Sequence, residues 1–324
     1  MSIRALLARE NGVAFEQITD DDLPKGGVTV AVAYSSLNYK DGLAVTGRGR
    51  IVRKFPMVLG IDLAGTVVAS DSDDFKAGDR VLGTGQGLGE SIWGGYASRA
   101  RVPADAIVPI PDALSFEQAM FLGTAGLTAM LCVLALEQNN VLPSEREVIV
   151  TGAAGGVGSL AVMLLAKHGY RVAASTGRPE LADYLRGLGA TSIVHRDELA
   201  KPGAPMQSER WGGGVDTVGG VTLANVFAQT AYEGAIACCG MAGGHELTIA
   251  VWPLILRNVS LLGVSSLRTS KAKRIEAWTR LAQDVDRTQL ASLSRNEPLS
   301  RINELAEEIL AGQVRGRVAI DVNA

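Results

Sequence analysis

The sequence predicts an α/β protein in two parts, a β-rich N-terminal portion and a doubly wound, parallel-sheet domain. Three observations carry that expectation. From residue 147 onward, strand-like apolar runs alternate with helical patterns. The first of those runs, 147–151, meets the glycine cluster Gly152, Gly155, Gly156 and Gly158 and then an amphipathic helix. A chain of 324 residues also exceeds what one hydrophobic core usually covers.

In chain order, the first third shows short alternating apolar segments cut by glycine and proline, with strands expected at 28–32, 63–69 and 79–82. The stretch 83–95 reads as a glycine-dense loop suited to the wall of a cleft. Helices are expected at 116–122 and 126–136. The alternation then runs strand 147–151, helix 159–168, strand 171–175, helix 179–187 and strand 192–195, with further strands at 215–218, 234–239 and 261–264. A helix at 299–311 and a last strand at 316–322 complete the chain, and that strand is expected to pair back into the first domain. The division is therefore 1–118, 119–265 and a return segment 266–324.

Composition, 47% hydrophobic and 20% charged, is that of a water-soluble globular protein. The net charge of −3 gives no global attraction to nucleic acid or to an acidic membrane, so neither is expected as a partner. The N-terminal apolar run is too short for a signal peptide, and no apolar run of bilayer length is expected. The reading is cytoplasmic. Cys132, Cys238 and Cys239 have neither disulfide-framework nor zinc-knuckle spacing and read as small core residues.

The strand–glycine–helix order is what a dinucleotide requires. Glycines let the backbone pass close to a pyrophosphate, and the helix start aims unpaired N–H groups at it. Gly155, Gly156, Val157 and Gly158 are the residues of that turn. About twenty residues on, where an acid would select NAD, the chain has Ser175, Thr176, Gly177 and Arg178. Hydroxyls and a guanidinium favour a 2′-phosphate, hence NADPH, and Arg196 after the third strand could face the same end.

Several strings resemble the zinc-independent medium-chain dehydrogenase/reductase superfamily, in its quinone oxidoreductase-like branch. They are Gly78-Asp79-Arg80-Val81, Gly94-Gly95-Tyr96-Ala97, the segment 123–129 and Gly316-Arg317-Val318. The segments 35–44, 46–51, 55–62, 239–244 and 255–259 are similar to acrylyl-CoA reductases of the YhdH/AcuI type. That resemblance implies a GroES-like catalytic domain beside a Rossmann cofactor domain, with the active site in the cleft between them. It also implies NADPH-dependent reduction of an acyl-CoA thioester, acrylyl-CoA, and a homodimer. Thr151, Gly240, Met241 and Val264 are expected to line the cofactor as well.

Zinc relatives need Cys, His and carboxylate ligands. Here the first hundred residues contain neither Cys nor His, and Gly60-Ile61-Asp62 stands where those enzymes carry Gly-His-Glu. No metal is expected, which disfavours alcohol dehydrogenation and favours conjugate addition of hydride to an activated alkene. Tyr39 and Asn38 are the candidate catalytic residues. The first could hold the nicotinamide or protonate Cα, a task that water could also perform, and the second could orient substrate or cofactor by its amide. Asp41 reads as a residue that orders the local loop. For the CoA phosphates, Arg48, Arg50, Arg53 and Lys54 form one basic cluster, and Arg268, Lys271, Lys273 and Arg274 a second. Two other readings stand beside this one: an NADPH-dependent quinone or enone reductase, and a non-catalytic NADPH-binding sensor.

Overall fold

The computed structural model describes residues 2–324. By contacts the chain divides into two units. The first holds the residues up to Leu127 with Ser266–Gln283 and Leu290–Ala324, and the second holds Thr128–Ser265 with Asp284–Gln289.

In the first unit a seven-stranded sheet carries the order Ser294–Pro298, Arg317–Asp321, Val28–Ser36, Asp62–Ser70, Arg80–Thr84, Ile107–Pro109, and Arg99–Val102 pairs with Val28–Ser36 off that path. A hairpin of Ile3–Arg9 and Gly12–Ile18, extended by Met57–Val58, makes a second small sheet. Alternate side chains of these strands enclose a core that includes Leu6, Val30, Leu63, Tyr96 and Ile320, and the helix Ile302–Leu310 adds Ile302 and Leu305 to it. The final strand is antiparallel to Val28–Ser36, with Ala319 opposite Ser36, so the last residues of the chain complete the sheet that its first third begins.

In the second unit six strands are all parallel. Their order is Ala190–His195, Val172–Thr176, Val148–Val150, Trp211–Asp216, Thr230–Cys238, Ser260–Gly263. Numbered along the chain this is 3-2-1-4-5-6, the Rossmann arrangement, with its switch point beside Val148–Val150. Ile149, Ala173, Val194, Trp211 and Ile236 pack its core.

Two expectations need correction. Residues 119–136 do form an uncharged run of bilayer length. The helix Phe116–Gln138 is long and apolar enough to cross a membrane, but 89% of its most apolar stretch is buried inside the fold, as in a core helix. This helix is also interrupted at Gly123, which has φ 53° and ψ −153°. Residues 119–127 fall with the first unit, because Arg317 Nε donates to the Phe121 carbonyl at 2.8 Å and Thr124 N donates to Asp62 at 2.9 Å.

Candidate active site

The glycine turn is built by close approach. Gly152 adopts φ 59°. A Cβ at Gly158 would stand 2.2 Å from the Gly152 carbonyl oxygen and 2.7 Å from the Ala153 Cα, so only glycine lets the helix close onto the strand end. The helix Gly156–Lys167 starts three residues earlier than its apolar pattern suggests, with Gly155 as N-cap. The N–H groups of Gly156, Val157 and Gly158 therefore fall in its first turn, where no intrahelical carbonyl can accept them.

A buried acid sets the loops around this turn. Asp216 accepts from Thr151 Oγ1 at 2.6 Å and from Gly219 N at 2.7 Å, and Thr151 Oγ1 accepts from Thr217 N at 3.0 Å. Burial pushes the Asp216 carboxyl up, against the pull of those donors. Gly240 packs on this arrangement so closely that a Cβ would be 2.1 Å from the Thr217 carbonyl oxygen. Met241 is 70% exposed, and Val264 N donates to the Cys238 carbonyl at 2.9 Å, past the end of the sixth strand. Thr151, Gly240, Met241 and Val264 thus gather at the carboxyl ends of the parallel strands, where doubly wound sheets bind their ligands.

At the second strand's end Ser175 and Thr176 are buried. Arg178 N donates to Thr176 Oγ1 at 3.1 Å, and its guanidinium reaches back to the Ala154 carbonyl at 3.0 Å. Arg196 lies across Gly177, where a Cβ would meet its Cδ at 2.3 Å. Two guanidinium groups and a threonine hydroxyl therefore share one strand end, a donor set that fits a ribose 2′-phosphate. The second strand itself ends without an acid, and the exposed Asp197 lies 3.8 Å from Arg196 Nε. The glycine cradle and this end together fit a phosphorylated dinucleotide.

The first unit holds a second polar centre, around Asp62. Its carboxylate accepts from Asn38 Nδ2 at 3.0 Å, from Thr124 N at 2.9 Å, and from the hydroxyls of Ser36 and Thr124. Gly123 is required beside it, since a Cβ there would be 2.6 Å from Asp62 Oδ2. Arg317, fully enclosed, donates to the carbonyls of Phe121 and Leu37 and to Ser36 Oγ at 3.2 Å. Burial draws its guanidinium downward, opposed by the charges of Asp62 and Asp41. Tyr96 donates to the Ser36 carbonyl at 3.0 Å, and burial pushes its phenol well up.

Asn38 and Asp41 belong to this centre. Asn38 ends the extended segment and caps the helix Tyr39–Thr46. Its Nδ2 lies within 3.1 Å of Ser36 Oγ, Asp41 Oδ2 and Asp62 Oδ2, so its amide donors point into the fold. Asp41 accepts from Asn38 N and Ile61 N, both at 2.9 Å. Burial, reinforced by the Asp62 charge, pushes the Asp41 carboxyl up to about 7. Tyr39, the first residue of that helix, is 51% exposed, and its hydroxyl has no hydrogen-bond partner among the described residues. The capped helix start holds its backbone while the phenol stays available.

The basic residues separate by use. Arg48 pairs with Glu307 at 2.8 Å, whereas Arg50, Arg53 and Lys54 are exposed. In the second cluster Lys271 pairs with Asp74 at 2.7 Å, and Arg274 is buried against the Asp105 carbonyl, so those two hold structure. Sequence reading missed Ser36, Thr124, Asp216 and Arg317. A signal existed for three of them, since Ser36, Thr124 and Arg317 lie in the strings that carried the family resemblance.

Residues 24–112 match the alcohol dehydrogenase GroES-like domain, and residues 156–283 match the zinc-binding dehydrogenase domain. The chain is 51% identical to the acrylyl-CoA reductase AcuI of Ruegeria pomeroyi, over 96% of this chain and 94% of that protein. The chain belongs to the quinone oxidoreductase-like family of medium-chain dehydrogenases/reductases. Another member, the putative quinone oxidoreductase YhfP of Bacillus subtilis, is 44% identical over 98% of both chains. The crystal structure of the yhdH oxidoreductase of Salmonella enterica in complex with NADP superposes with a TM-score of 0.95 at 48% identity, covering 99% of each chain. Although the family's second domain is named for zinc, the Asp62 carboxylate of this member is taken up by four protein donors, and all three histidines lie in the second unit.

Proposed function

We propose that this protein is an NADPH-dependent reductase that converts acrylyl-CoA to propanoyl-CoA. The near full-length likeness to the AcuI reductase carries the reading, and the two arginines gathered at the second strand's end, where no acid occupies the ribose-selecting position, support the choice of cofactor. When bound, NADPH supplies a hydride to Cβ of the thioester and leaves as NADP⁺. The chain's own residues do the rest. The glycine turn and first helical turn hold the diphosphate, and Arg178 and Arg196 hold the 2′-phosphate. As hydride arrives, negative charge moves onto the thioester oxygen, where polar donors stabilise it. A proton at Cα completes the saturated product, and in this reading Tyr39 Oη, on a half-exposed side chain at the capped helix start, gives it. Asn38 acts at one remove: it anchors the helix start that presents Tyr39.

A panel of acrylyl-CoA, crotonyl-CoA and a soluble quinone, each with NADPH and NADH, tests the reading. The highest kcat/KM is expected for acrylyl-CoA with NADPH, and a quinone in first place would overturn it. General acid catalysis contributes about 10²–10⁴-fold. Tyr39→Phe is therefore expected to lower kcat/KM for acrylyl-CoA by about a hundredfold or more. A loss within about threefold, under ~1 kcal/mol, would take the proton away from Tyr39.

The assembly is a homodimer formed through the second unit. Its outermost strand, Ser260–Gly263, is a sheet edge, and the helix Trp252–Leu256 that precedes it exposes Trp252, Ile255 (72%) and Leu256. A neighbouring copy would cover both. Ile255→Glu is expected to halve the mass measured by light scattering, and an unchanged dimer would move the interface elsewhere. Free thiols at Cys132, Cys238 and Cys239 suit the cytoplasm.

A further inference from the structure

A groove of about 600 Å³ in the first unit gathers Lys25, Lys54 and Arg101 around Phe55 and Trp93, and no carboxylate lines it. Its parts are held in place. The Trp93 indole donates to the Pro56 carbonyl at 3.1 Å, which sets the plane of the ring. Arg101 donates to Thr29 Oγ1 at 2.9 Å and to the Pro24 carbonyl at 3.3 Å, which sets the plane of the guanidinium. Phe55 is 49% exposed and lines the groove together with Trp93. Lys25 and Lys54 are exposed and make no ion pair among the described residues. Aromatic faces with cations and without acids suit a planar base that carries phosphates.

The groove also adjoins the candidate catalytic helix. Arg53 N, beside Lys54, donates to the Glu90 carbonyl at 2.8 Å, and Glu90 Oε1 lies 2.7 Å from Nζ of Lys40, the residue after Tyr39. A substrate that joins a reacting thioester to a phosphorylated adenosine by a long flexible arm could occupy both places. We infer that this groove holds the 3′-phosphoadenosine diphosphate end of the acyl-CoA substrate, with adenine against Phe55 and Trp93 and the phosphates against Lys25, Lys54 and Arg101. The inference rests on the acyl-CoA reading above, and its test separates the two.

With the cofactor site saturated by NADP⁺, CoA and adenosine 3′,5′-bisphosphate are titrated calorimetrically into the wild type, the double variant Lys25→Glu/Lys54→Glu and the control Lys76→Glu. The double variant is expected to bind both ligands at least tenfold more weakly, while the control matches the wild type. In kinetics its KM for acrylyl-CoA rises at least tenfold, and its KM values for NADPH and for acrylyl-pantetheine, which lacks the nucleotide, stay unchanged. Equal CoA affinity in wild type and double variant overturns the groove, as does a wild type that binds no CoA. Reduction of acrylyl-CoA with unchanged affinities would refute the groove alone. Charge-dependent CoA binding without acrylyl-CoA turnover would refute the reductase reading and leave the groove standing.

Discussion

Replacing Asp62 by asparagine is expected to lower the unfolding free energy of the first unit by about 3–5 kcal/mol, the cost of removing one partner from a buried charged network. The carboxylate accepts from Ser36, Asn38 and twice from Thr124. An amide offers one acceptor oxygen, and its NH2 must then face donors. Arg317 is enclosed beside the same Ser36 hydroxyl and loses the negative charge that opposes its burial most strongly. The second acid, Asp41, loses the Asp62 charge that helped push its carboxyl up, but burial, the larger cause, still opposes its ionisation. The check is urea denaturation followed by tryptophan fluorescence, and a midpoint equal to wild type would show that the network is not stabilising. If the asparagine variant does not fold, Thr124→Val gives a milder measurement. It removes one hydroxyl donor at nearly constant shape, for about 1 kcal/mol.

Local patterns made the second unit legible and left the polar centre of the first obscure. A strand, a glycine turn and a helix lie within twenty consecutive residues, so their function could be read from neighbours in the chain. Asp62 binds Thr124, 62 positions away, and Ser36 binds Arg317, 281 positions away; no periodicity reports such pairs. Asn38 shows the difference within a few residues. Read alone, its amide could orient a substrate. Read with Asp41 three positions later, the pair is a helix-start signature, and in the fold its donors turn inward to Ser36, Asp41 and Asp62. The helices Lys271–Asp284 and Arg287–Leu293 escaped notice because their charged residues obscure a narrow apolar stripe, Ala277, Trp278 and Leu281 in the first. The first hairpin, Ile3–Arg9 with Gly12–Ile18, went unread because its first strand is buried on both faces and lacks strict alternation.

Arg178→Ala is expected to lower kcat/KM for NADPH by about 10–100-fold, since a hydrogen bond to a charged group is worth about 1.5–3 kcal/mol and each ~1.4 kcal/mol is a factor of ten. The variant also loses the bond from its guanidinium to the Ala154 carbonyl, inside the diphosphate turn. The two roles separate by cofactor. NADH has the diphosphate and lacks the 2′-phosphate, so a phosphate contact predicts a loss with NADPH and little change with NADH, while a damaged turn lowers both together. Arg196→Ala is the cleaner probe, because that side chain crosses Gly177 and, among the described residues, makes no hydrogen bond to the turn. Removing both arginines should bring the two cofactors to within a few-fold of each other. If NADPH keeps its advantage in the double variant, the buried hydroxyls of Ser175 and Thr176 select it, and the cationic account of cofactor choice fails.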